Sequence, residues 1–313
     1  MDNLITYLID SQFLYSVFRV TTPLLFAALA SVVAENAGAS NIALEGIMIF
    51  AALFGAIGSG ISNSLIIGLL CAISGGLIIS LLLSYFGLYL KTDIILSGIA
   101  LNTLASGGSV FLLYVLLNDK GSTQALQCLT FPVVTIPLIN KIPFLGEVLS
   151  GQNLLTYIAF FMVWVVFFLL YRTKIGKHLR CVGENPEAAE SVGLNVRKLK
   201  LTALMISGLL ASLGGAFLSM GYMAGFSRGM VSGRGFIALA AAAMGMLSPV
   251  PTMIASIIFG FADAVSNILA ALRIPDELVK LIPYLVTIVG LIVFSQIRSF
   301  SEKKRRKKIL SKT

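Results

Sequence analysis

Two carboxylates stand inside long apolar runs of this 313-residue sequence, and they are the first residues that could carry chemistry. Glu45 lies in "NIALEG" and Asp263 in "FGFADAVSN". An acid among apolar residues is costly unless it faces a cavity or a partner, so such acids often mark the path of an ion or a polar solute. Asn41, Asn102 and Asn267 add donors and acceptors that suit hydroxyl groups or base edges. These five residues are the candidate pathway residues.

Each of these side chains also has a structural interpretation, which the sequence leaves open. Glu45 could cap or tie a broken helical segment, and each asparagine could bond one helix to another. Asp263 could pair with a cation, for which the candidates are Arg19, Arg228 and Arg234. The run 41–46 as a whole is expected to shape the pathway.

Patterns for enzyme catalysis or cofactor binding are missing from the sequence. The pair Gly176 and Lys177 has no glycine five residues earlier and no strand pattern before it, so it is not a phosphate-binding loop. His178, the one histidine, stands in a basic stretch without an HExxH motif. The three cysteines, which have no CxxC spacing, are Cys71, Cys128 and Cys181. We therefore expect no enzyme activity, no cofactor and no metal site.

The composition indicates a membrane protein, because 57% of the residues are hydrophobic and only 12% are charged. Windows such as 201–222 are long and apolar enough for a helix to cross about 30 Å of hydrocarbon. Helices are expected because backbone groups in lipid must be hydrogen-bonded within the segment. The start, "MDNLITYLIDSQ", is acidic and does not resemble a cleaved signal. The sequence therefore predicts an all-α polytopic membrane protein formed by one domain over 1–313.

The basic residues are unevenly distributed, and this predicts the orientation. Of 23 Lys and Arg, seven fall within 172–200 and eight within 298–313, while the loop 118–153 has only two. Positive charge favours the cytoplasmic side. We therefore expect 172–200 and the basic tail 298–313 in the cytoplasm and 118–153 outside the cell. The net charge of +9 then indicates contact with anionic membrane lipid and not with nucleic acid.

The apolar windows predict about nine crossings, with the N-terminus outside. They lie near 13–34, 46–60, 64–90, 94–117, 154–171, 201–222, 229–247, 252–272 and 281–297. The window 229–247 is Gly-rich and contains an arginine, so it is expected to be broken or re-entrant. The polar run 35–45 is expected to line a cavity enclosed by protein. A weak echo between "NIALEGIMIFAALFG" and "FIALAAAAMGML" is what two inverted repeats would leave.

One charged stretch, "GENPEAAESVGLN" at 183–195, interrupts the apolar sequence. Asn185 and Pro186 suit the start of a helix, the glutamates suit its N-terminal half, and Gly193 suits its end. The stretch predicts one short helix of two turns. Ala188 and Ala189 would give it a smooth surface for the groove of another protein.

This stretch resembles the cytoplasmic coupling loop of permease subunits in bacterial ABC importers, in the family that serves branched-chain amino acids, simple sugars and nucleosides. "NIALEG" is similar to the N-[IL]-G-L-E-G element of the nucleoside and simple-sugar permeases, with Ala43 at a glycine position. "GRGFIALAAAAMG" resembles the second half's element, although Leu247 and Ser248 stand where tryptophan and asparagine are common. The resemblance runs from about Pro23 to Phe294.

The resemblance implies a permease of the bacterial cytoplasmic membrane, with ATP-binding subunits docked on the coupling loop. The implied docking residues are Gly183, Glu184, Asn185, Pro186, Glu187, Ala188, Ala189 and Gly193. It also implies a second permease, identical or different, and an extracytoplasmic binding protein. Nucleosides are favoured as substrate over ribose-type sugars. The contrasting hypothesis is an ion-coupled transporter that uses Glu45 or Asp263, which would not explain the patterned charged helix.

Overall fold

The computed structural model describes residues 11–123, 126–135 and 145–271, with 285–286, 288–290 and 292 beyond them. Its helices up to Ala271 are α1 (Ser11–Asn36), α2 (Leu44–Ser62), α3 (Leu65–Ser84), α4 (Ile94–Leu117), α5 (Leu145–Leu149), α6 (Leu154–Arg172), α7 (Lys174–Glu184), α8 (Pro186–Ser191), α9 (Val196–Phe217), α10 (Arg234–Met244) and α11 (Pro249–Ala271). A π-helical turn extends α3 (Tyr85–Tyr89) and another extends α9 (Leu218–Tyr222). Two short antiparallel strands, β1 (Val133–Val134) and β2 (Gln152–Asn153), close the loop before α6.

Polar side chains start several helices, because the first backbone N–H groups of a helix lack partners within it. Asp93 accepts hydrogen bonds from two N–H groups at the start of α4. Single bonds of the same kind are made by Asn153 at α6, Thr173 at α7, Asn185 at α8 and Asn195 at α9. These caps fix the points at which the chain enters each helix.

The helices form a buried centre with outward-facing helices around it. In the most apolar window, 89% of residues are buried in α1, 72% in α9 with its π turn, and 67% in α2. The corresponding share falls to 28% in α4 and 33% in α6. α1 packs on α9, α10 and α11, while α2 and α9 pack on α3. The apolar outer faces of α3, α4 and α6 are therefore suited to lipid.

The expected all-α membrane fold is confirmed, but the count of nine crossings is not. Seven helices in the described part of the chain are long and apolar enough to cross a membrane. Within 229–247 only the eleven residues of α10 are α-helical, and they span about 16 Å, so this segment is broken as expected. Most of 281–297 lies outside the described residues, as do 1–10 and 298–313.

Small residues allow the central helices to approach closely. A Cβ added to Gly208 of α9 would come within 2.6 Å of the Cβ of Ser80 in α3. One added to Gly214 would lie 3.0 Å from the carbonyl oxygen of Pro23 in α1. Backbones that approach this closely gain van der Waals contact, which drives helix association where there is no water to exclude.

We predict that Gly208→Leu lowers the free energy of unfolding by about 1–3 kcal/mol, because the added side chain must displace α3. Thermal unfolding of the purified protein in detergent measures this change. The matched control is Gly107→Leu, since a Cβ at Gly107 meets no atom within 4 Å. Equal destabilisation by both substitutions would contradict the packing argument.

Candidate functional site

The start of α10 is held by an acid from another helix. The N-cap of α10 is Gly233, which has a φ of 77° and no side chain to cap the helix. Glu45, in the first turn of α2, supplies the missing acceptor: its Oε1 accepts from the N–H of Gly233 and its Oε2 from the N–H of Gly235, each at 2.8 Å. A carboxylate at this position also complements the positive end of the α10 dipole.

Close backbone approach makes this junction possible. A Cβ added to Gly235 would lie 2.5 Å from the backbone nitrogen of Glu45, so a larger residue would separate the two helix starts. Glu45 therefore ties the start of α2 to the start of α10, which is the structural role that the sequence left open. Both of its oxygens are engaged by backbone donors.

The two asparagines near this junction also bond segments together. Asn102 of α4 accepts from the N–H of Gly46 at 2.8 Å and donates to the carbonyl oxygen of Ile42 at 2.9 Å. Asn41 donates from Nδ2 to the Oγ of Ser207 in α9 at 2.8 Å. The Oδ1 of Asn41 is buried and has no hydrogen-bond partner among the residues that the structure describes. The run 41–46 is thus fixed from two sides and retains one unpaired acceptor.

Asp263 pairs with the arginine that follows Gly233. The Nη2 of Arg234 donates to the Oδ2 of Asp263 at 2.9 Å, and both side chains are largely buried. The Nη1 of Arg234 donates to the carbonyl oxygen of Met230 at 3.0 Å. Of the three arginine candidates, Arg234 is the partner, so both acids converge on the first turn of α10. Asn267 lies one helical turn beyond Asp263 and is exposed.

The charged stretch 183–193 forms the end of α7, the helix α8 and the turn after it. Asn185 caps α8 by accepting from the N–H of Ala188 at 3.0 Å, and Pro186 occupies the first helical position. Gly193 has a φ of 84°, which lets the chain turn into α9. On this surface Glu184, Pro186, Glu187, Ala188 and Glu190 are exposed.

The structure separates the two alanines that the sequence analysis grouped together. Ala188 is exposed, whereas Ala189 is fully buried against the protein itself. Ala189 is therefore a packing residue and not part of the smooth outer surface predicted for it. Val192, which was not predicted, is 72% exposed and adds an apolar contact to the loop surface.

The loop touches the polar run between α1 and α2. A Cβ added to Gly183 would collide with the carbonyl oxygen of Asn36, and one added to Gly38 would lie 3.2 Å from the Cα of Gly183. The Nδ2 of Asn36 donates to the carbonyl oxygen of Leu247, in the turn between α10 and α11, at 2.8 Å. One contact point thus joins α7 to the run 37–43 and to the far end of α10.

Residues 13–291 match the family described as "Branched-chain amino acid transport system / permease component". The chain belongs to this permease family. Three relatives show its range. The guanosine ABC transporter permease protein NupQ of Bacillus subtilis is 34% identical over 287 residues, which are 87% of this chain and 88% of that protein. The nucleoside ABC transporter permease protein NupC of Lactococcus lactis is 30% identical and covers 93% of both chains.

The third relative is TsgC13 of Haloferax volcanii, named provisionally as a glucose ABC transporter permease protein. It is 30% identical over 79% of this permease and 74% of its own length. Among solved structures, a chain of PsaBC from Streptococcus pneumoniae in complex with Fab aligns with a TM-score of 0.53. The alignment covers 92% of this permease and 94% of that chain, at 14% identity. At this identity the likeness shows the fold alone.

Sequence reasoning missed α7 and the role of the turn at Asn36. The signal for α7 was present, because its buried residues Gly176, Leu179 and Val182 recur at a spacing of three. The contact between Gly183 and Asn36 joins residues 147 positions apart, so local patterns could not reveal it. The charged segment between α6 and α9 therefore contains two helices, α7 and α8, and not one.

We predict that Glu45→Ala destabilises the permease by about 1–3 kcal/mol for each backbone donor that loses its acceptor. Glu45→Gln keeps one acceptor oxygen and should lie between Ala and the native residue. Unfolding temperature and transport should fall together along this series. A Glu45→Gln variant that unfolds like the native protein and yet transports nothing would contradict the tying role and favour an ion site.

We predict that Asp263→Asn lowers the free energy of unfolding by up to about 3 kcal/mol, because it leaves the charge of Arg234 unpaired in a largely buried site. Adding Arg234→Gln to this variant should recover most of the loss. Folded yield after size-exclusion chromatography and the unfolding temperature measure both. Additive losses in the double variant would show that the ion pair contributes nothing.

Proposed function

We propose that this chain is the permease subunit of an ATP-driven importer that carries nucleosides across the bacterial cytoplasmic membrane. The observation that carries the proposal is the capped helix α8, exposed at the tip of a loop whose partner helix α7 contacts the centre of the bundle. Two full-length relatives named as guanosine and nucleoside permeases support the substrate class.

The charge distribution supports the orientation. The basic segment 172–200, which contains α7 and α8, would face the cytoplasm, and the loop 118–153 would face outward. The described part of that loop joins the outer turn after α9, since the N–H of Thr123 donates to the carbonyl oxygen of Phe226 at 2.9 Å. This outer surface would receive substrate from an extracytoplasmic binding protein. The basic tail 298–313 would contact anionic lipid on the cytoplasmic side.

ATP-binding subunits would dock on the exposed residues of α8, and their closure would move α7. Because Gly183 of α7 rests on Asn36 and Gly38, the movement would reach the run 37–43 directly. It would also reach α10 through the hydrogen bond from Asn36 to Leu247. The run and α10 meet again at Glu45, so both broken elements would shift together. Such a shift about a fixed centre is the motion that alternating access requires.

A second permease, identical or different, would complete the pathway, since α10 and α11, which both pack on α1, leave aromatic and polar side chains exposed. Phe236 of α10 is 46% exposed, and Asn267 of α11 is also exposed. An aromatic ring and an amide suit a base and its polar edge. A glucose-type sugar is the second candidate substrate, supported by the relative TsgC13.

We predict that Glu187→Arg combined with Ala188→Arg abolishes nucleoside uptake while the permease still reaches the membrane. Both side chains are exposed on α8. Two added arginines would prevent α8 from docking in the groove of an ATP-binding subunit, because of their bulk and their charge. Uptake of labelled guanosine and glucose into cells that express the permease with its partner subunits measures the effect. Co-purification of the ATP-binding subunits should fall in parallel.

The matched control is Lys120→Glu, a charge reversal at an exposed residue near the opposite end of α4 from its cap at Asp93. It should leave assembly with the ATP-binding subunits intact. Guanosine uptake that survives the α8 change and follows the proton or sodium gradient would overturn the ATP-driven proposal. Uptake of glucose without guanosine would retain the importer and change its substrate.

A further inference from the structure

An apolar groove opens on the outside of the bundle between α3 and α9. It has a volume of about 450 Å³ and is lined by Ile78, Leu81, Leu82, Ser84, Tyr85, Tyr89 and Leu201. Several of these side chains are half exposed, including Leu81 at 49% and Tyr85 at 52%. An apolar groove on the outer face of a membrane helix pair has the chemistry to hold an acyl chain.

A cation stands at one end of the groove. Arg197 lies one helical turn before the lining residue Leu201, on the same face of α9. Its guanidinium carbon is 5.1 Å from the centre of the Tyr89 ring. A contact over the ring face holds the guanidinium in place without using its N–H donors, which remain suited to phosphate oxygens.

The charge around this end is predominantly positive. Lys91 and Lys198 are exposed beside Tyr89 and Arg197 in the chain. The nearby acid is Asp93, whose Oδ1 already accepts from the N–H groups of Ile95 and Leu96. A phosphate group on Arg197 would therefore lie among predominantly basic residues, and Asp93 already accepts two backbone hydrogen bonds.

The tyrosines at this end support a position at the membrane surface. The π-helical turn stacks Tyr85 and Tyr89 with ring centres 6.1 Å apart, and Lys91 reverses the chain with a φ of 54°. Tyrosines of this kind are enriched at headgroup level, and basic residues mark the cytoplasmic side. In the proposed orientation the groove would run from headgroup depth into the hydrocarbon.

We propose that the groove between α3 and α9 binds an anionic phospholipid of the cytoplasmic leaflet, with an acyl chain in the groove and the phosphate on Arg197. α9 begins directly after α8 and its turn, so the bound lipid stabilises the position from which the coupling loop emerges. The site does not depend on which solute the permease carries.

Native mass spectrometry of the full-length permease, titrated with phosphatidylglycerol or phosphatidylcholine of the same acyl chains, tests the site. Arg197→Gln should weaken phosphatidylglycerol binding about fivefold, as expected for one surface cation, with little change for phosphatidylcholine. Ile78→Trp fills the groove and should weaken both lipids. The control Lys177→Gln removes an exposed cation of α7 that does not line the groove. Unchanged phosphatidylglycerol binding in Arg197→Gln, or an equal loss in Lys177→Gln, would overturn the proposal.

A photo-crosslinking amino acid at Leu81 identifies the occupant in native membranes that contain all subunits. An adduct with phospholipid is the expected product. An adduct with another permease chain would show that the groove is a protein interface and would overturn the lipid site.

Discussion

The two hydrogen bonds from the backbone of α10 to the carboxylate of Glu45 are the constraint on which the centre of this permease depends. A helix that starts within the membrane exposes N–H groups that lipid cannot satisfy. Gly233 brings no side chain to cap them, and the acceptor must therefore come from elsewhere. Glu45 is placed for this task only because the chain stops being helical at Asn36 and starts again at Leu44. The interruption between α1 and α2 thus positions the carboxylate that accepts the free N–H groups at the start of α10.

The same arrangement determines how movement can pass through the bundle. Glu45 accepts a hydrogen bond from the N–H of Gly233 at the start of α10. Asn36 donates one to the carbonyl oxygen of Leu247, in the turn that follows the end of α10. Both holding residues flank the run 37–43, so that run and α10 are joined at both ends. Gly183 packs against Asn36 and Gly38, and a Cβ added to Gly183 would collide with the carbonyl oxygen of Asn36. In the proposed mechanism, a displacement of the loop 183–193 would therefore act on the run and α10 together.

Much of the fold follows from composition and periodicity, since the observed spans begin and end within a few residues of the apolar windows, apart from α9, which starts five residues before its window. The glycines and the arginine of the window 229–247 predict that it is broken. They do not predict that its helix, α10, has only eleven residues. The roles of the two acids could not be decided from the sequence. Glu45 and Gly233 are 188 residues apart, and Arg234 was one of three possible partners of Asp263. Local patterns do not contain such pairings. The direction of Ala189 was equally undetermined, because a six-residue helix is too short to show an amphipathic period.

The contacts of Glu45 and Asp263 help to distinguish transport driven by an ion gradient from transport driven by an external ATPase. A carboxylate that takes up a proton or a sodium ion shares its negative charge with that ion, which weakens the hydrogen bonds and ion pairs that it makes with the protein. Glu45 has both oxygens on backbone N–H groups that cannot find another acceptor in lipid, and Asp263 neutralises an arginine that would be left charged and largely buried. Binding an ion at either acid would thus weaken the contacts that hold the start of α10. In the proposed importer, a push delivered through α7 would move the junction without an ion at either carboxylate, so an external ATPase fits this architecture better than an internal ion.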